Sequence, residues 1–206
     1  MDGIRPPVIG LAGPSCAGKN AAGDILARRG FAVIDADKIA HEVLEELKNR
    51  ILEEFREAAA EKRVSLLRQD GSLDRKALGS LLFADPALLA RHESIVYPRI
   101  TEILGRMIDE NRERGVVINA ALLHKTPILD RFDFLIFVDA WLPIRFVRAL
   151  RRDKIPPKRV FHRFQSQKNL FAQYLLKNVD IERVDNSTTV RALERKLAKL
   201  LSRRGY

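Results

Sequence analysis

Three stretches of the chain are apolar with almost no alternation: Val8-Ile9-Gly10-Leu11-Ala12, Val116 to Leu123, and Phe134 to Asp139. Short runs without a polar face suit strands buried on both sides, as in a parallel sheet covered by helices. Ala21 to Arg29 instead has helical spacing and stops at Gly30, where a helix's C′ residue belongs. Phe31 to Asp35 follows as a short strand, so this opening predicts a βαβ unit with a right-handed crossover. Val179 to Val184 reads as a fifth, weakly alternating strand. Asp185-Asn186-Ser187 is a turn, and Ser187 or Thr188 is expected to cap a closing helix over Val190 to Leu201. Arg203 and Arg204 trail beyond it and are expected to fray. The pattern predicts an α/β fold with a five-stranded parallel sheet flanked by helices.

Between the second and third strands the pattern turns helical and charged. Residues 38–63 carry a solvated glutamate face, with an i,i+4 pair expected from Glu46 to Arg50. Gln69 to Ser72 is a turn, Asp74 to Phe83 a short helix, and Ala87 to about Arg114 one or two helices with a bend or boundary at Pro98. This all-helical insertion, 38–114, is a natural place to bind a substrate. Asp74, Arg75, Arg91, His92, Tyr97 and Arg99 are its polar and aromatic candidates.

A second helical stretch, 143–178, is basic. Arg145, Arg148 and Arg152 share one helix face, the chain breaks at Ile155-Pro156-Pro157, and Arg159 and Arg163 share the next face. Phe161 and Phe164 read as core residues of that helix. Two basic helices on a proline hinge suit a lid that brings guanidinium groups onto a phosphate. The rival reading is an arm for nucleic acid, which needs stacking aromatics. The expected division is a core of 1–37, 115–142 and 179–206, a helical substrate subdomain 38–114, and a lid 143–178.

Composition sharpens this little by little. The 206 residues hold 37 Lys and Arg against 27 Asp and Glu, a net charge of +10 that favours polyanionic partners. The single cysteine, Cys16, excludes an intramolecular disulfide and fits a reducing, cytoplasmic setting. No signal-peptide pattern opens the chain, and no apolar run approaches the ~18 residues of a membrane span.

The chemistry concentrates in Gly13-Pro14-Ser15-Cys16-Ala17-Gly18-Lys19-Asn20. Glycine, four residues and then Gly-Lys, set between a strand and a helix, is the spacing of a phosphate-binding loop. Its main-chain N–H groups form an anion nest, the helix adds its positive end, and Lys19 supplies a mobile charge for outer phosphates. Gly13, Ser15, Cys16, Ala17, Gly18, Lys19, Asn20 and Ala21 are the expected nucleotide contacts. The eighth position usually carries a hydroxyl that ligates magnesium; here Asn20 offers an amide oxygen. Asp35 and Asp37 end the second strand, on the edge where ligands of open α/β sheets gather. Asp37 is read as the group that orients and deprotonates an acceptor hydroxyl, Asp35 as structural or metal-side, and His41 as a possible substrate contact one turn on. His124 and Lys125 open the loop after the third strand.

These motifs, in this order, resemble the dephospho-coenzyme A kinase family along nearly the whole chain. The resemblance lies in Ile9 to Gly13 with Gly18-Lys19; Val33-Ile34-Asp35-Ala36-Asp37-Lys38 through Val43; Gly71-Ser72-Leu73-Asp74-Arg75 through Gly79 with Phe83; Arg148 with Arg152-Asp153; Arg163 with Gln167; and Asp185-Asn186-Ser187. It implies a P-loop kinase with ATP and Mg²⁺ as cofactors and dephospho-coenzyme A as small-molecule partner, phosphorylated on its ribose 3′-hydroxyl. It also implies Lys19 as the loop lysine, Asp37 as base, and Arg148 and Arg152 as lid arginines. The chain departs from the family pattern at Pro14, at Asn20, at Tyr97 in place of a histidine before Pro98, and over Asn119 to Lys125, where two acidic positions are neutral or basic. Another small-molecule kinase, or a nucleotide-binding protein without catalysis, shares most of these features.

Overall fold

The computed structural model describes residues 5–120, 123, 126–153, 156–177 and 179–206. Its contacts divide the chain into two compact units, one running to Asp35 and resuming at Gly105, the other Ala36–Leu104. No described helix is long and apolar enough to cross a membrane.

The first unit is built on five parallel strands: β1 (Val8–Ala12), β2 (Ala32–Asp35), β3 (Val116–Asn119), β4 (Phe134–Asp139) and β5 (Ile181–Asp185), in the order β2-β3-β1-β4-β5. β1 lies in the middle and is buried along its whole length, as its unbroken apolar run requires. The chain leaves β1 for one edge, returns through β3, and then crosses to β4 on the other side. The carboxyl end of β1 is therefore the topological switch point, where open α/β sheets bind ligands. Helices α1 (Lys19–Arg28) and α10 (Val190–Arg203) place Ile25, Leu26, Leu193 and Leu197 against Ile9, Leu11, Phe134 and Ile136.

β3 is shorter than its apolar run. Register pairs Asn119 with Leu11 on one side and Asp35 on the other, and both neighbouring strands end within one residue of that point. Ala120 still donates its N–H to Leu11 O at 3.2 Å and stays buried, but β2 has ended at Asp35 and β3 stops there. Residues 121, 122, 124 and 125, including the loop candidates His124 and Lys125, lie outside the described residues.

At the chain's end, Thr189 caps α10, accepting from the N–H of Ala192; Ser187 instead accepts from the N–H of Trp141 and bonds to Asp185. The expected cap at Ser187 or Thr188 is thus displaced, because a cap must sit immediately before the first helical residue. Arg203 and Arg204 do not fray. Both bond to Glu182 on β5, Arg204 also to Asp180, and the Arg204 guanidinium lies 4.4 Å from the Phe134 ring centroid.

The second unit is helical: α2 (Ala36–Glu46), α3 (Lys48–Glu54), α4 (Arg56–Glu61), α5 (Arg75–Phe83) and the part of α6 (Pro86–Glu110) up to Leu104. α6 runs through Pro98 as one helix instead of ending there. Proline removes a single intrahelical bond, while Ile95, Val96, Ile100 and Leu104 keep one buried stripe on both sides of it. α2 and α3 are separate helices, so the i,i+4 geometry expected for Glu46 and Arg50 is broken at Leu47; Glu46 takes Arg99 instead, at 2.8 Å, and Arg99 also bonds Glu102.

His92 lies in this unit with its ring 6.1 Å from Phe55, and its buried Nε2 has no hydrogen-bond partner. Burial holds its pKa below the usual 6.5, against the opposing charge of Glu93. The folded imidazole therefore takes up a proton less readily than the unfolded one. Stability is full above the unfolded value and declines as pH falls below it, with a slope of at most about 1.4 kcal/mol per pH unit for one proton. Thermal melts of His92→Gln between pH 7.5 and 5 are expected to lose part of that decline. An unchanged pH slope would remove His92 as its source.

Candidate active site

The loop after β1 keeps its shape for local reasons. Gly13 has φ 150°, and a Cβ there would stand 2.1 Å from the carbonyl oxygen of Val138 on β4. Gly18, the residue before α1, has φ 100°, and a Cβ there would meet Asn186 Nδ2 at 2.1 Å. Only glycine fits either place. Between them Cys16 holds a left-handed φ of 61°, and the N–H of Ala17 donates to Pro14 O at 3.2 Å. Such a succession of turns leaves main-chain N–H groups free to converge on an anion. No acidic residue occupies the first turn of α1, so nothing there competes with an anionic ligand.

Neighbouring elements brace the loop. α7 (Leu142–Asp153) contributes Arg145 and Arg148. Buried Arg145 donates from Nε to Ser15 O at 3.0 Å and lies 4.5 Å from the ring centroid of Phe164. Arg148 donates to Asn186 O at 2.9 Å and to Ala17 O at 3.4 Å. Asn186, just past β5, is buried; its N–H donates to Asp139 O at 2.7 Å and its Nδ2 to Ala17 O at 2.8 Å. Gln167, just past α8 (Pro157–Ser166), accepts from the N–H of Ser15 at 2.8 Å. Pro14 brings no N–H of its own, and the next donor along is thus used inside the protein. Lys19 Nζ donates to Gly13 O at 3.0 Å.

Above the loop is a cavity of about 470 Å³ lined by Pro14, Cys16, Gly18, Lys19, Asn20, Arg148, Arg151 and Arg152. Four of these side chains are cationic and none is acidic, so the cavity suits a ligand carrying several negative charges. Arg152 is oriented by Asp153, which accepts from it at 2.6 Å and from Arg163 at 2.5 Å. The hydrogen bond from Arg152, then that from Arg163, hold the Asp153 carboxyl down at about 2. α7 and α8 pack through Ala149, Val160 and Phe164. Phe161, expected in that core, is 54% exposed, because Val160 and Phe164, one turn apart, take the buried face.

Asn20 is exposed at the start of α1, and its Oδ1 accepts from Asn119 Nδ2 at 3.3 Å. Amide oxygens suit a hard cation, and the buried, unpartnered Oδ1 of Asn119 is a second donor oxygen at this corner. Among the described residues, no group of three His, Cys, Asp or Glu side chains is gathered to hold a metal ion.

The remaining sequence candidates belong to the other unit. Asp37 and His41 are exposed in the first and second turns of α2. Asp74 caps α5, accepting at 3.0 Å from the N–H groups of Lys76 and Ala77, and Arg75 beside it is exposed. Tyr97 is half-buried on α6 and donates to Glu93 at 3.4 Å; burial first, then Glu93, push its phenol up to about 12. Arg151 and the brace of Asn186 were not singled out from the sequence. Arg151 stands three residues after Arg148, so the helical spacing that linked Arg148 to Arg152 also pointed to it.

Comparison with known proteins is consistent along the chain. The family model described as dephospho-CoA kinase (CoaE) matches residues 7–191. A dephospho-CoA kinase of Treponema denticola is 40% identical over 98% of this chain and 92% of its own length, and one of Treponema pallidum is 39% identical over 97% and 96%. A crystal structure from Thermus thermophilus shares the fold, with a TM-score of 0.79 over 97% of this chain and 98% of that one, at 24% identity. A phosphate loop at the switch point, arginines from α7 over it and a match of this extent agree: the chain belongs to the dephospho-CoA kinase family.

Proposed function

We infer that this protein transfers the γ-phosphoryl group of ATP to the ribose 3′-hydroxyl of dephospho-coenzyme A, the last step of coenzyme A synthesis, in the cytoplasm. The observation that carries the reading is the cation-lined cavity over the loop, in a chain of this family.

Gly13, Ser15, Cys16, Ala17, Gly18, Lys19, Asn20 and Ala21 surround the β- and γ-phosphates, with Lys19 and the loop N–H groups not already bonded within the protein holding them. Arg148 and Arg152, with Arg151 between them, neutralise charge on the moving phosphoryl group. Asp37 holds the acceptor hydroxyl and takes its proton as the oxygen bonds to the γ-phosphorus and the β–γ bridging oxygen leaves with ADP. The products are ADP and coenzyme A, and the work is positioning and electrostatics. Magnesium, held beside Asn20, would offset charge on the β- and γ-oxygens. The helical unit supplies the acceptor side, with His41, Asp74, Arg75 and Tyr97 as the residues that meet dephospho-coenzyme A.

The test couples ADP release to a colour change in the presence of ATP and magnesium, with a panel of acceptors. ADP and coenzyme A are expected to form one for one with dephospho-coenzyme A. Turnover of another acceptor with none of dephospho-coenzyme A would sink the reading.

A further inference from the structure

Asn20 ends the phosphate loop and Asn119 ends β3. They stand 99 positions apart in sequence, yet their side chains are hydrogen-bonded. In phosphate-loop NTPases generally, a loop hydroxyl and an aspartate share the duty of holding magnesium. Here the loop position and its bonded partner are both amides, so the pair carries no charge. Asn119 is only 8% exposed, and its Oδ1 has no hydrogen-bond partner. A buried acceptor left unmatched is costly and calls for an explanation. Its carboxamide lies against Asn20, a lining residue of the cavity.

We propose that Asn20 and Asn119 form a neutral two-amide seat for a hard divalent cation, so that the protein takes up the ion only together with a polyphosphate. Affinity for such ions rises with the number of charged ligands, and this pair supplies none. Lys19, Arg148, Arg151 and Arg152 line the same cavity and repel a bare cation. A polyphosphate on the loop reverses that balance by bringing its own negative charge. The two amides then contribute oxygens and orientation, the ligand the attraction. The proposal rests on the phosphate-loop reading above.

Manganese is the probe, with the free ion followed by electron paramagnetic resonance in solutions of the full chain. Without nucleotide, binding tighter than millimolar is not expected. With ADP present, Asn119→Asp should tighten manganese binding about tenfold or more relative to the unaltered chain, the scale on which groups around a metal act. Asn20→Asp, at an exposed position, should do the same, and it keeps the test open if the buried variant does not fold. Micromolar manganese binding without nucleotide, or equal affinity in the unaltered chain and the folded variants, would overturn the neutral seat. ADP binding is measured separately in EDTA and with manganese. ADP bound but manganese affinity unchanged fells only the seat; no ADP binding under either condition fells the loop reading and the proposal with it.

Discussion

Lys19→Ala is expected to lower kcat/KM for ATP by about 10² to 10³, the loss found when one preorganised charge or donor is removed from a transition state. Lys19 Nζ bonds to the Gly13 carbonyl in the loop and is part of the cavity lining, so its ammonium is held at the mouth of the nest. Three arginines remain in the variant, and a polyphosphate should still bind. The larger share of the loss should fall on kcat, because the charge on the moving phosphoryl group changes only in the transition state. Lys19→Arg should not rescue it, since a planar fork cannot replace a compact point charge in the same space. The side chain is half-exposed, so melting temperature should hardly move. Turnover within threefold of the unaltered chain, in folded protein, would remove Lys19 from the chemistry.

How much of this was legible in the chain depends on how local the cause is. β1 and β4 match their apolar runs because burial on both faces forbids polar positions along them. The loop was legible because its glycines answer to two steric contacts that nothing else satisfies. Pro98 left one helix or two open, because whether a proline ends a helix depends on packing on either side of it, not on the proline. Phe161 misled because a basic helix with two phenylalanines three apart does not say which one faces its neighbour. The least legible features are pairings over long separations. Asn20 with Asn119, Ser15 with Gln167, and Arg204 with Glu182 exist only once the sheet has set its order. Asn20 and Asn119 read in the sequence as two separate departures from the family; bonded to each other, they are one.

Asp37→Asn is expected to reduce kcat about 10²- to 10⁴-fold, the range for loss of a positioned general base. Asparagine keeps the size and one acceptor oxygen but cannot take the proton. Asp37 follows the last residue of β2 by two positions, and β2 runs parallel to β1, whose end carries the phosphate loop. It sits exposed in the first turn of α2, and asparagine keeps its size, so the melting temperature should hardly move. KM for ATP should stay within about threefold, because the change leaves the loop and the four cations that line its cavity in place. Asp35→Asn is the comparison that decides between the two acids. Asp35 ends β2 in register with Asn119 but stands outside the two-amide seat, so its loss should leave both the magnesium requirement and saturated turnover within about threefold of the unaltered chain. If instead Asp35→Asn abolishes turnover at saturating magnesium while Asp37→Asn remains within tenfold of the unaltered chain, the base is Asp35, and the acceptor hydroxyl must be served from the end of the strand and not from the helix that follows it.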